Sequence, residues 1–162
     1  MRITRFIAAL AMTVYLSTAC TVLSTDFSNK NALSGTEWTL VSSGKADAEK
    51  PVTTGTHITL IFDASGQASG HSGCNSYSGK VIVGSGFALR PSEIAFSDMS
   101  STMMACAEVD KMELEQHYLT ALQAATFYKL TGDPNVTHSR YLTLTVNDGT
   151  RLTFVQGTSG GV

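Results

Sequence analysis

Near the C-terminus the chain reads Arg140-Tyr-Leu-Thr-Leu-Thr-Val146, then Asn147-Asp-Gly149, then Arg151-Leu-Thr-Phe-Val155. Alternation sends every second side chain to the same face of a strand, and Asn-Asp-Gly is strong turn chemistry, so this stretch predicts an antiparallel hairpin. A lone hairpin is marginal in water and needs further strands or a helix on its apolar face. Similar runs supply them. Glu37 to Ser42 alternates, with Trp38, Leu40 and Ser42 on one face and Thr39 and Val41 on the other. His57 to Phe62 is rich in β-branched residues and ends at Asp63-Ala-Ser-Gly66, so Gln67 to His71 is expected as the returning strand. Lys80 to Val83 and Phe87 to Arg90 flank Gly84-Ser-Gly86, a further hairpin signal.

One segment has a different period. From Glu108 to Thr126 the pattern is helical, with Met112, Leu114, Tyr118, Leu119, Ala121, Leu122 and Ala125 on one broad face. The opposite face carries Asp110, Glu113, Gln116, His117, Thr120 and Gln123. The expected fold class is therefore α+β: a curled antiparallel β-sheet built of hairpins with one main α-helix packed on it. Glu115 is out of place, since it projects inside the apolar arc. Two readings are open: a rim glutamate whose stem reaches water, or a buried acceptor that fixes a loop such as the segment at Thr102.

The N-terminus bears on location. Arg2 and Arg5 precede an apolar run from Phe6 to Leu16, too short to span a bilayer, and Ser17-Thr-Ala19 follows. That is the layout of a secretory signal peptide. Leu16-Ser-Thr-Ala-Cys20 resembles the lipobox of bacterial lipoproteins, although the favoured leucine lies one place further upstream than usual. The resemblance implies cleavage before Cys20 and lipidation of that cysteine. The alternative is an ordinary secretory signal cut near Ala19. Thr21 is not the aspartate that resembles an inner-membrane retention signal, so the expected site is the outer membrane, facing the periplasm. The expected organisation is a signal peptide over 1–19, a lipidated N-terminus and flexible tether over 20–32, one domain over 33–156 and a flexible tail over 157–162. Removing Arg2 and Arg5 with the leader leaves nine of the eleven basic residues against thirteen acidic ones, a net of −4 with histidines neutral. With no basic run, the chain has no electrostatic basis for binding nucleic acid.

Three cysteines are an odd set, but lipidation would use Cys20. Cys74 and Cys106 then form the one possible pair, in a compartment where disulfides persist. Two other chemistries compete for Cys74. A thiol nucleophile would draw on His71, with Asn75 orienting it, yet catalytic Cys and His are seldom sequence neighbours. A zinc site could be assembled from Cys74, Cys106 and His71 with His57 or His117, but no CxxC or HxxxH spacing supports it. His138 lies in an expected loop, and Asn135-Val-Thr137 matches a glycosylation sequon by chance. The disulfide is favoured. It would close a loop of 33 residues, which chain entropy values at about 3–4 kcal/mol.

Around that pair the sequence becomes distinctive. Gly35-Thr-Glu-Trp-Thr-Leu-Val-Ser42, Gly73-Cys-Asn-Ser-Tyr-Ser-Gly79, Thr102-Met-Met-Ala-Cys106, the ExxYLxAL pattern over Glu115 to Leu122 and the closing hairpin occur in the order found in META domains of the HslJ type. The resemblance covers Leu33 to Val155. It assigns structural motif roles to Gly73, Asn75, Tyr77, Gly79, Thr102 and Glu115. Glycines 70, 73 and 79 would admit tight or left-handed backbone, Asn75 would tolerate a left-handed conformation and bond neighbouring backbone groups, and Tyr77 would pack its ring with an exposed hydroxyl. Met103 and Met104 are expected as adaptable core filler. The resemblance implies a monomeric, non-enzymatic envelope lipoprotein without cofactor or metal, associated with envelope stress and antibiotic tolerance. Such a protein would act through the membrane anchor and contacts with an envelope partner. The competing function is inhibition of a secreted lysozyme or protease, since exposed loops on a rigid scaffold present a binding edge.

Overall fold

The structure is a computed structural model and describes residues 32–84, 90, 92–104, 109–132 and 140–157. Cys20, Cys106, Asn135, Thr137, His138, the proposed tether up to residue 31, and most of the tail lie outside those residues, as do residues 85–89 of the second expected hairpin. Among the described residues nine strands and one main helix follow in chain order: β1 Glu37–Lys45, β2 Lys50–Pro51, β3 Thr59–Phe62, β4 Gln67–His71, β5 Ser76–Val83, β6 Ile94–Ser101, α1 Val109–Gln123, β7 Ala125–Thr131, β8 Tyr141–Val146 and β9 Thr150–Gln156.

The strands form one sheet in the order β6-β5-β4-β3-β1-β9-β8-β7, with β2 as a short extra partner of β1. All these pairings are antiparallel. β3 to β6 make one meander and β7 to β9 another, and β1 joins them by pairing with β3 on one side and β9 on the other. β6 and β7 are therefore the outermost strands, with residues 102–108 and α1 between them in sequence. A flat sheet would hold these edges about 34 Å apart, whereas a 15-residue helix is about 22 Å long. The sheet curls instead. Its edges meet where Glu93 bridges Phe127 and the Tyr128 N–H donates to the Ser92 carbonyl at 2.8 Å. The expected curled antiparallel sheet with one covering helix is the architecture found.

The inside of the curl is the core. Trp38, Leu40, Ile58, Leu60, Phe62, Leu142, Leu144, Leu152 and Phe154 are all buried there, and Tyr118 and Leu122 enter from the helix. Trp38 donates its indole N–H to the Leu33 carbonyl at 3.3 Å, and the Arg140 guanidinium stands 5.5 Å from its ring centre.

Sequence alternation located β1, β3, β4, β8 and β9, but β6 and β7 were not expected. Ile94 and Phe96 of β6 point inward, after which a bulge breaks the alternation. Asp98 and Met99 together oppose Gly79, with Asp98 in the left-handed region (φ 52°) and its carboxylate 2.7 Å from Lys80. A Cβ on Gly79 would run into Met99 and the Ser97 carbonyl, so the missing side chain is the space the bulge occupies. The helix also stops earlier than its period suggests. It ends at Gln123, and Ala125 and Thr126 begin β7, where buried Ala125 pairs with Val146. β-branched and aromatic residues take over there, and strand pairing overrides the helical pattern.

Candidate functional site

The helix buries Glu115, Tyr118 and Leu122, spaced i, i+3 and i+7. Leu114, Leu119 and Ala121 are half-buried, whereas Met112 is exposed, which corrects the expected apolar face. Glu115 is only 7% exposed, so the rim reading is overturned. Its Oε1 lies 2.6 Å from the Ser72 hydroxyl, and its Oε2 accepts from Asn75 Nδ2 at 3.0 Å. The Asn75 carbonyl accepts the Ser72 N–H at 2.8 Å and also lies 2.8 Å from the Ser72 hydroxyl, so the one hydroxyl proton faces both that carbonyl and the carboxylate.

Asn75 then passes the constraint on. Its second amide hydrogen reaches the Met104 carbonyl at 3.3 Å. Its Oδ1 accepts from the Thr102 hydroxyl at 2.8 Å and from the Met104 N–H at 2.7 Å. Both donors and both lone pairs of the carboxamide are used, and the carboxylate dictates which end faces which way. The helix, the turn after β4 and the segment after β6 are thus tied through one side chain. Glu115 does act on the Thr102 segment, but through Asn75. The expected left-handed conformation of Asn75 is absent, since Ser92 and Asp98 are the non-glycine residues with positive φ among the described residues. Its importance lies in the side chain. Gly73 does take the left-handed region (φ 107°), as a turn glycine should.

One helical turn further, Tyr118 meets Tyr77. Their hydroxyls are 2.6 Å apart, and the Tyr77 hydroxyl is 2.7 Å from the Thr59 carbonyl. A carbonyl can only accept, so Tyr77 donates to Thr59 and Tyr118 donates to Tyr77. Both rings are buried, which corrects the expectation that the Tyr77 hydroxyl reaches solvent. Gly70 pairs with Tyr77, and a Cβ there would strike the Thr59 carbonyl, so this glycine makes room for the phenol. Burial pushes both phenols above the ordinary tyrosine range. Among the described residues the buried polar or charged side chains are Thr59, Ser72, Asn75 and Glu115. All four belong to this cluster.

The thiol and imidazole candidates fare differently. Cys74 is disulfide-bonded, so it is not a free nucleophile. Its sulfur lies 3.8 Å from the Met104 carbonyl oxygen, against the segment that leads to Cys106. His57, His71 and His117 are all exposed. Among the described residues no three His, Cys, Asp or Glu side chains converge as a metal-ligand set, and no helix is long and apolar enough to cross a membrane. Met103 and Met104 are 97% and 63% exposed, which overturns their reading as core filler. Sequence adjacency to a buried motif was a poor guide, because Met104 takes part in the knot through its backbone and leaves its side chain outside.

A small curled β-domain whose buried polar groups bond one another is a scaffold defined by its structural motifs. The chain belongs to the META domain family, whose model matches residues 31–159. No curated protein matches the sequence. Among solved structures it is similar to a protein from Burkholderia xenovorans determined by NMR, with 28% identity, a TM-score of 0.63, and coverage of 81% of this chain and 88% of that one. A duf4847 family protein from Bacteroides vulgatus shares the fold at 16% identity, with a TM-score of 0.53 and coverage of 81% of this chain and 99% of that one.

Replacing Glu115 by Leu removes the acceptor that the Asn75 amide N–H faces and leaves that buried donor without a partner. An unsatisfied buried group costs about 1–3 kcal/mol. The melting temperature of Glu115→Leu at neutral pH is expected to fall by roughly 5–10 °C, and an unchanged value would show that the knot does not stabilise the fold.

The tyrosine pair predicts an alkaline limit. With both phenols raised, the folded state keeps protons that the unfolded chain releases above about pH 10. The stabilisation is complete below that pH and is lost as pH rises beyond it. Tyr77→Phe removes one such proton, so denaturant titrations from pH 9 to 12 should show a fall shallower by about 1.4 kcal/mol per pH unit at most.

Proposed function

We propose that the chain is a lipid-anchored envelope protein whose META domain performs no chemistry of its own and supports envelope integrity under stress through contact with another envelope component. The observation that carries this reading is the pairing of a self-satisfied polar interior with an exposed apolar surface beside it. Met103, Met104, Val109 and Met112 are 97%, 63%, 70% and 49% exposed. They flank the knot, since Met104 is bound to Asn75 and Met112 lies one helical turn before Glu115. Methionine suits a contact surface because its unbranched, polarisable side chain adapts to the opposing shape.

The test is complementation. Loss of the gene should raise sensitivity to heat, detergent and novobiocin, and wild-type protein should restore tolerance. A Met103→Ser/Met104→Ser variant at equal abundance should not, and full rescue by it would reject the contact surface. If the purified chain instead abolishes lysozyme or protease activity at micromolar levels, the inhibitor reading replaces this one.

The proposal includes two covalent features. Cys20 carries the lipid, and Cys74 pairs with Cys106. Labelled palmitate should enter the wild type and not Cys20→Ala, and intact mass of the exported protein should show no free thiols at Cys74 and Cys106. Label entering both proteins equally, or two free thiols, would overturn the corresponding feature.

A further inference from the structure

The helix has a second stripe, next to the one it buries. Leu114, His117, Tyr118, Ala121 and Ala124 fall at i, i+3, i+4, i+7 and i+10, and they line one wall of a cleft. The opposite wall is made by the ends of β1, β8 and β9, including Leu152. The cleft has a volume of about 560 Å³ and opens to solvent, and its size is that of a small-molecule site. Small side chains keep the walls apart. Ala121 and Ala124 stand on the helix.

The lining joins apolar side chains to Ser43, Thr120 and Thr150, and its charged members are Lys50 and Asp148. Asp148 is at the mouth, but Lys45 holds its carboxylate at 2.7 Å, so that pair is neutral. Glu49 turns away to Ser42, Thr153 and Arg151, at 2.7, 3.0 and 3.8 Å. Its neighbour Lys50 lines the cleft and has no ion-pair partner among the described residues. His117 lines it from the helix side.

We propose that this cleft binds a single-chain anionic amphiphile, its acyl chain lying against the half-buried Leu114, Ala121 and Val146 and its head group meeting Lys50 and His117. The apolar walls alone would accept any oil-like molecule. The unpaired cation selects an anionic end, and a volume of about 560 Å³ suits one chain. A free fatty acid and a lysophospholipid share this chemistry. The inference stands apart from the methionine surface, which contributes no residue to the cleft.

The experiment titrates the full chain with dodecanoate, following displacement of 1-anilinonaphthalene-8-sulfonate, and repeats the titration with lysophosphatidylglycerol and dodecanol. Saturable binding of one equivalent of dodecanoate or lysophosphatidylglycerol is expected, with dodecanol weaker. The tighter of the two anionic probes identifies the source of the head group. Ala124→Trp, at an exposed position that fills the mouth without entering the core, should weaken binding about tenfold with an unchanged melting temperature. Lys50→Glu should weaken it about fivefold at low salt and less at high salt. Absence of saturable binding would overturn the proposal, as would undiminished binding in Ala124→Trp. So would loss of binding in the Met103→Ser/Met104→Ser variant with retention in Ala124→Trp, since that places the amphiphile on the methionine surface and leaves the complementation result to be judged separately.

Discussion

The Glu115 carboxylate is what gives the Asn75 side chain a single orientation. A buried carboxamide has two near-equivalent ends, and which one faces a donor is settled by its surroundings. Here the carboxylate accepts only, so the Asn75 nitrogen must face it, and the oxygen must face Thr102 and Met104. A buried charge is costly without partners, and a half-satisfied polar network is worse than an apolar core. The cluster avoids both penalties by concentrating the domain's buried polarity in one place. Around it the packing is ordinary: aromatic and aliphatic side chains inside a curled sheet, plugged by one helix.

The tyrosine pair extends the same tie along the helix. Glu115 and Tyr118 are three residues apart, so one face of α1 presents a carboxylate to the turn after β4 and a phenol to β5. The Tyr77 phenol reaches the Thr59 carbonyl, while the Thr59 hydroxyl takes the His71 N–H at 3.1 Å. Gly70, Asn75, Tyr77 and Gly79 thus share a physical logic: two leave space, and two fill or bridge it. The glycine-rich look of this stretch reflects close packing of backbone against a phenol and a bulge, with the disulfide at Cys74 beside it.

Much of this fold was legible as sequence. The closing hairpin and the β3–β4 hairpin announce themselves by alternation and turn residues, and Trp38 and Leu40 lie inside as their spacing requires. The rest was hidden for identifiable reasons. In β6 the pattern breaks at the Asp98–Met99 bulge, and β7 follows the helix so closely that its first residues still fit the helical period. Glu115 could be recognised as misplaced in an apolar arc, but its partners sit 40 and 43 residues away in sequence, beyond the reach of any local pattern. The orientation of the Tyr77 hydroxyl and the exposure of the two methionines depend on tertiary placement alone.

The position of β1 has a consequence for how the chain acquires its structure. β1 is the first strand among the described residues, and it sits between β3 and β9, the last of them. Neither meander can complete the curled sheet without it, and Trp38 of β1 is paired with Gln156 at the far end of the sequence. Contacts between such distant segments must wait for the whole chain, and domains dominated by them fold slowly. While the C-terminal strand is missing, β1 has one open edge, so a chain still being synthesised stays incompletely folded until its final hairpin is available.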